Sequence, residues 1–313
     1  MGATRYPGGV VSHRMPVLGF LLMLTASGLA AADGVDAVPV PVPPPAPPPV
    51  PASAPSWHEQ KTPAPGPPRA IGDYSAGCLQ GARALALHAE GYQVMHPSRL
   101  RYFGHPDLLG FVQGLGLAAH AQGLGPVLVG DMSQPRGGRA PGGHASHQTG
   151  LDVDLWYWLP KAAAKRVLSA TEVEATSARS VLDGKAGGIA ADWAARVEAL
   201  LRITVADERV TRVFVHPLIK QELCAHATGD RSWLSKLRPW YGHDDHFHVR
   251  LACPKGSALC TPQEAPPPGD GCTELDYWLG DAARLAREQG RKQYEGKVAH
   301  ASELPAACKA LLL

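Results

Sequence analysis

Fourteen of the chain's 30 prolines fall between Pro39 and Pro68, in the run PVPVPPPAPPPVPASAPSWHEQKTPAPGPP. Such a run lacks the backbone donors that helices and sheets need, and it favours an extended polyproline II spacer. It therefore divides the 313 residues into a part that can build a core and parts that cannot. Upstream, Met15–Leu24 is a short apolar stretch, preceded by Arg5 and Arg14 and followed by Ala30-Ala31-Ala32. Basic residues, a short apolar core and a small-residue site, in that order, read as a secretory signal peptide. A retained membrane anchor is the competing reading, and the apolar core is short for a span. The expected organisation is a signal peptide over 1–32, a Pro-rich spacer over 33–69 and a folded domain over 70–313.

All six cysteines, Cys78, Cys224, Cys253, Cys260, Cys272 and Cys308, follow the spacer. An even count in an exported domain points to three disulfides, and spacing leaves all ~15 pairings open. No C-x-x-C occurs, which weakens cysteine metal binding. The formal charge of +2 comes from 30 basic and 28 acidic side chains. Arg5 and Arg14 lie in the leader, so a chain starting at Asp33 carries 28 of each sign. That balance gives no ground for a nucleic-acid partner or a charged membrane surface. After the leader, no apolar run is long enough to span a bilayer.

Apolar spacing predicts helices over Leu79–Glu90, Pro106–Gln122, Ile189–Leu201 and Leu275–Glu288. Branched and aromatic runs predict strands over Pro126–Gly130, Leu151–Trp158, Arg209–Val215 and His246–Leu251. Between Asp131 and Gly150 lies DMSQPRGGRAPGGHASHQTG, a loop whose length points to function.

Five of the 14 histidines cluster in two patches, His144-Ala-Ser-His147 and His243-Asp-Asp-His246-Phe-His248. In a strand, side chains alternate between faces, so His246, His248 and Arg250 share one face and Phe247, Val249 and Leu251 the other. The same rule puts Asp152, Asp154 and Trp156 opposite Leu151, Val153 and Leu155. Carboxylates facing imidazoles suit a divalent metal, zinc above all, with His147, Asp154 and His248 as three ligands and the fourth position left to water. Copper and nickel also accept these donors. His246 is the candidate general base for hydrolysis of an amide. Isolated histidines (His58, His88, His96, His105, His120, His216, His226 and His300) are read as surface or hydrogen-bonded residues. H-E-x-x-H, S-x-x-K, G-x-S-x-G and Walker A patterns are absent, which removes helical zincin, serine and nucleotide readings.

The stretches RYFGHP (Arg101–Pro106), GDMSQPRGG (Gly130–Gly138), GHASHQTGLDVDLW (Gly143–Trp156), RPWYGHDDHFHVRLACP (Arg238–Pro254) and GDGC (Gly269–Cys272) resemble the penicillin-insensitive murein endopeptidases. The resemblance implies an α+β fold in which a small antiparallel sheet carries the metal site, with helices packed around it. It implies a periplasmic enzyme cleaving peptidoglycan cross-links between D-alanine and meso-diaminopimelate, with His147, Asp154 and His248 at the metal positions. His246 matches the family's catalytic histidine, and His144 and His243 match further active-site histidines. The implied disulfides are Cys78–Cys308, Cys224–Cys272 and Cys253–Cys260. Two alternatives share these residues: a D,D-carboxypeptidase or dipeptidase on murein peptides, and a non-catalytic metal- or murein-binding module.

Overall fold

A computed structural model describes residues 56–141, 145–184, 187–286 and 304–312. The expected signal peptide, most of the spacer and His144 lie outside them. The chain first forms a hairpin of β1 (Arg69–Asp73) and β2 (Ala76–Gln80), then β3 (Arg83–Ala84), β4 (His88–Ala89), β5 (Tyr92–Val94) and β6 (Phe103–Gly104). Next come α1 (Pro106–Ala121), β7 (Val127–Val129), β8 (Asp152–Trp156), α2 (Ala170–Ala175), α3 (Ala191–Val205), β9 (Val210–Val215) and α4 (Pro217–His226). The series continues through β10 (Leu237–Pro239), β11 (His246–Leu251) and α5 (Leu275–Trp278), and a last helical turn spans Ala306–Ala310.

The central sheet has seven strands in the order β10-β9-β11-β8-β7-β5-β4. It is neither small nor antiparallel throughout, contrary to expectation: β10 runs parallel to β9 and β5 parallel to β7. The reason is connectivity. Parallel neighbours need a crossover, and α1 supplies one between β5 and β7 while α4 supplies one between β9 and β10. Strands of two or three residues, such as β4, β5 and β10, are too short to show a period in the sequence.

The helix expected over Leu79–Glu90 does not form; that segment supplies the end of β2, then β3 and β4. Its helical spacing is overridden because Leu79 and Cys78 are locked into the hairpin with β1, and Gly81 breaks the run at φ +60°. The helix expected over Leu275–Glu288 is interrupted as well: α5 ends at Trp278, with Gly280 two residues on, and residues after 286 are not described. The other expected elements form close to their expected bounds.

Alternation sorts the sheet's two faces. Phe247, Val249 and Leu251 of β11 and Val153 and Leu155 of β8 enter a core filled by α1, α3 and α4. Burying each large apolar side chain contributes roughly 1.5–3 kcal/mol. Helices α1 and α4 start alike: His105 and His216 accept hydrogen bonds through Nδ1 from the Asp107 and Leu218 amides, and a proline follows each. Two of the isolated histidines are thus helix caps. Helix α1 lies close on β5 because Gly91, at φ +84°, touches Gly116; a Cβ at Gly91 would come within 2.2 Å of the Gly116 carbonyl oxygen.

Disulfides join Cys78–Cys308, Cys224–Cys272 and Cys253–Cys260, the pairing the resemblance implied. Part of the expected spacer also packs on the domain. Trp57 is buried with Ile71, Cys78 and Cys308, and Ala64 bridges to Gln80. Residues 56–66 thus form a strap across the start of the 131–150 loop.

Candidate metal centre

Strands β8 and β11 pair antiparallel with Asp154 opposite His248, Asp152 opposite Arg250 and Trp156 opposite His246. Paired residues point to the same face, so register alone brings two carboxylates against an imidazole and a guanidinium. His147 arrives from the loop before β8 with its backbone in the left-handed region, φ 66°. That conformation is uncommon outside glycine and persists only where the surroundings enforce it. Here Gln148 is clamped on both sides. Its side chain donates to the Ser75 carbonyl at 2.6 Å and accepts from the Gly77 amide, while its own carbonyl accepts from Gly138 at 2.9 Å.

His147 Nε2 and His248 Nδ1 each lie 3.3 Å from Asp154 Oδ1. One ligand atom from each of the three residues falls within 4.8 Å of the others, and all three residues are buried. Tetrahedral zinc at about 2.0–2.1 Å from its donors requires donor separations of roughly 3.3 Å. The residues supply the donor types such an ion takes, and both separations to Asp154 Oδ1 match it.

Behind His248 stands a second carboxylate. Asp152, fully buried, accepts from His248 Nε2 at 2.7 Å and from Arg250 Nε at 2.6 Å, both at Oδ1. Arg250 also donates to Gln263 at 2.7 Å and stacks over Tyr74, its guanidinium carbon 3.7 Å from the ring centroid. Metal-binding histidines usually carry such a carboxylate on the far nitrogen, fixing tautomer and ring angle. The Asp152–Arg250 support was missed in the sequence reading, although both residues lie on the faces assigned there to the site.

Two more histidines border the centre. His246 hydrogen-bonds Asp245 through Nδ1 at 2.5 Å and turns Nε2 towards Asp154, at 3.7 Å. Burial depresses its pKa, but Asp154 and Asp245 outweigh burial and lift it to about 9. His243 is held the other way. Burial first, then the charges of His246 and His248, push it down to about 3. Its Nδ1 lies 3.2 Å from the Trp240 carbonyl oxygen. Burial likewise works against the charged form of Asp154, yet His147 and His246 hold its carboxyl well below the usual range. The centre is thus a buried carboxylate among imidazoles, with an outer histidine of each charge preference. His147, Asp154, His248, His246 and His243 thus lie together around one point of the sheet.

Two imidazoles and one carboxylate, backed by a second carboxylate, form the kind of site used by metal-dependent hydrolases. Comparison with known proteins narrows the class. Residues 70–313 match the family model described as penicillin-insensitive murein endopeptidase. A protein of that description from Yersinia pestis bv. Antiqua (strain Antiqua) is 45% identical over 263 residues, covering 83% of this chain and 91% of the relative. Another from Klebsiella pneumoniae (strain 342) is 46% identical over 230 residues, covering 72% and 82%. One from Salmonella arizonae is 43% identical over 263 residues, covering 83% and 92%. The chain belongs to the penicillin-insensitive murein endopeptidase family.

Proposed function

We infer that the protein is an exported zinc metalloendopeptidase that hydrolyses D-alanyl–meso-diaminopimelyl cross-links in peptidoglycan. The observation carrying this reading is the buried set of His147, Asp154 and His248 at a spacing that suits zinc, in a chain of this family. Its three closed disulfides favour the periplasm, with residues 1–32 as leader and 33–69 as the spacer ahead of the catalytic domain.

His147 Nε2, Asp154 Oδ1 and His248 Nδ1 would hold the ion, and copper or nickel would suit the same donors. Zinc bound there supplies Lewis acidity and a water acidified towards neutral pH. The chain's own residues manage orientation and protons. Asp152 fixes His248 by accepting a hydrogen bond from its Nε2–H, and Arg250 keeps Asp152 ionised. Asp245 fixes the proton of His246 on Nδ1, leaving Nε2 as the nitrogen facing the centre, where it exchanges a proton with the reacting groups. His243, neutral at physiological pH, serves as a hydrogen-bonding wall, and His144 completes the assigned histidines. Phe214 packs edge-on to His248, centroids 5.2 Å apart, and limits water on that side.

Purified sacculi incubated with the zinc-loaded protein provide the test. Conversion of cross-linked muropeptide dimers to monomers is expected, and a His248→Ala variant should leave the dimers intact. Release of D-alanine with dimers untouched would instead mark a carboxypeptidase, and no change at all a binding module.

A further inference from the structure

A cavity of about 240 Å³ opens beside the loop that carries His147. His58 and Lys61 of the strap form one wall, Arg99, Leu100 and Arg101 of the β5–β6 connection another, and Gln134 of the loop closes it. Among the described residues, every charged side chain in this lining is basic.

The positive excess is built in. Among the described residues, Asp131 is the carboxylate in ion-pair reach of this group, 2.7 Å from Arg101 Nη1 and 3.4 Å from Arg99 Nη1. One carboxylate therefore faces two guanidiniums, and Lys61 adds a third cation; its ammonium donates to the His58 carbonyl at 2.8 Å. Glu59, the acid nearest in sequence, is outside the lining and accepts from the Ser56 amide at 2.7 Å, although its charge still acts on His58 and Lys61. Arg101 is fixed deep in the wall, with its other end on the Pro141 carbonyl, while Arg99 remains half-exposed.

The backbone is strained to hold this arrangement. His96 and Leu100 both take φ 53°, on either side of the turn at Pro97–Arg99. Ser98 at its tip is clamped to Glu174 through backbone and hydroxyl, at 2.8 and 2.7 Å. Left-handed backbone at a residue such as Leu100 is costly and recurs at ligand clamps. Asp131 links the cavity wall to the metal centre: its carboxylate pairs with Arg101 and Arg99, and its carbonyl accepts from the Asp154 amide at 2.9 Å.

We propose that this cavity binds a free carboxylate of the murein stem peptide through Arg99 and Lys61, anchoring the peptide beside the metal centre. The proposal rests on the murein-hydrolase reading above, whose substrate carries free carboxylates on diaminopimelate, on glutamate and at the terminal D-alanine. Guanidinium and ammonium donors form charge-assisted hydrogen bonds with such a group, and the neutral amide forfeits them.

Calorimetric titration of muropeptide monomers into the intact zinc-loaded chain tests this without turnover. The probes are a tetrapeptide monomer with all carboxylates free and three forms, each amidated at diaminopimelate, glutamate or the terminal D-alanine. One amidation should weaken binding to the wild-type protein about tenfold, and it identifies the carboxylate bound. The double variant Lys61→Gln/Arg99→Gln, altered only at exposed side chains, should bind all four forms alike. Indifference of the wild type to every amidation, or unchanged discrimination by the variant, would overturn the proposal. Loss of dimer cleavage with discrimination intact would strike the assigned activity and leave the cavity standing.

Discussion

His248 and His147 face the same carboxylate oxygen at the same 3.3 Å, but the chain holds them there by different means. His248 belongs to a central strand paired on both sides, and its partners Asp152 and Arg250 follow from register. His147 belongs to a loop, takes a left-handed backbone and depends on clamps from Gln148, Gly138 and the N-terminal strap. The strand-borne half is set by the ladder and the core beneath it. The loop-borne half is set by strain and by contacts distant in sequence. Damage to the first should therefore act on the metal directly, and damage to the second through loop order.

The largest effect among supporting residues is expected at the strand-borne half. Asp152→Asn keeps an acceptor for His248 but removes the counter-charge of a buried Arg250. Metal affinity, measured by chelator competition, should fall about 10–100-fold. An unchanged affinity would show that register alone fixes His248. A smaller loss is expected at the loop-borne half. A methyl at Gly138, φ +69°, would lie 2.0 Å from the Trp57 ring, and the left-handed backbone itself costs an alanine roughly 1–2 kcal/mol. Gly138→Ala should lower the melting temperature and weaken metal binding only a few-fold; a lower melting temperature with metal affinity intact would confine the strap to a fold-stabilising role.

The smallest effect on the metal centre is expected outside both halves. Lys220 is fully buried, donates to the Asp270 carbonyl at 2.7 Å and is pushed down to about 7 by burial first and Arg238 second. Between that value and its unfolded value of about 10.4 the unfolded chain binds the extra proton, so this group makes stability rise with pH. The rise is at most about 1.4 kcal/mol per pH unit. Denaturant titrations at pH 7 and pH 9.5 should show it in the wild type and a flatter response in Lys220→Met. Equal slopes would mean that Lys220 stays charged in the fold.

The same division explains what was legible in the sequence. The expected strands at Leu151–Trp158 and His246–Leu251 gave the two faces correctly, because period-two alternation over five or six residues leaves no other assignment. Pro106 and the apolar spacing after it marked α1 to within a residue. The segment Leu79–Glu90 misled because its alanine- and leucine-rich spacing is helical locally, while its fate is decided by β1 and by a disulfide partner 230 residues away. The parallel edges of the sheet were invisible for the same reason: crossover pairing of very short strands leaves no local trace. At the site, the three metal-ligand candidates could be read from residue types. The Asp152–Arg250 support needed cross-strand register, which single-strand alternation does not supply.

The central claim is that the two halves make one metal site. Metal analysis of the chain purified without chelator, alongside His248→Ala and His147→Ala after gel filtration, tests it most directly. About one zinc ion per wild-type chain, and none retained by either variant, is the expected result. Retention of stoichiometric metal by His248→Ala, or a wild-type chain that binds none when offered zinc, would contradict it.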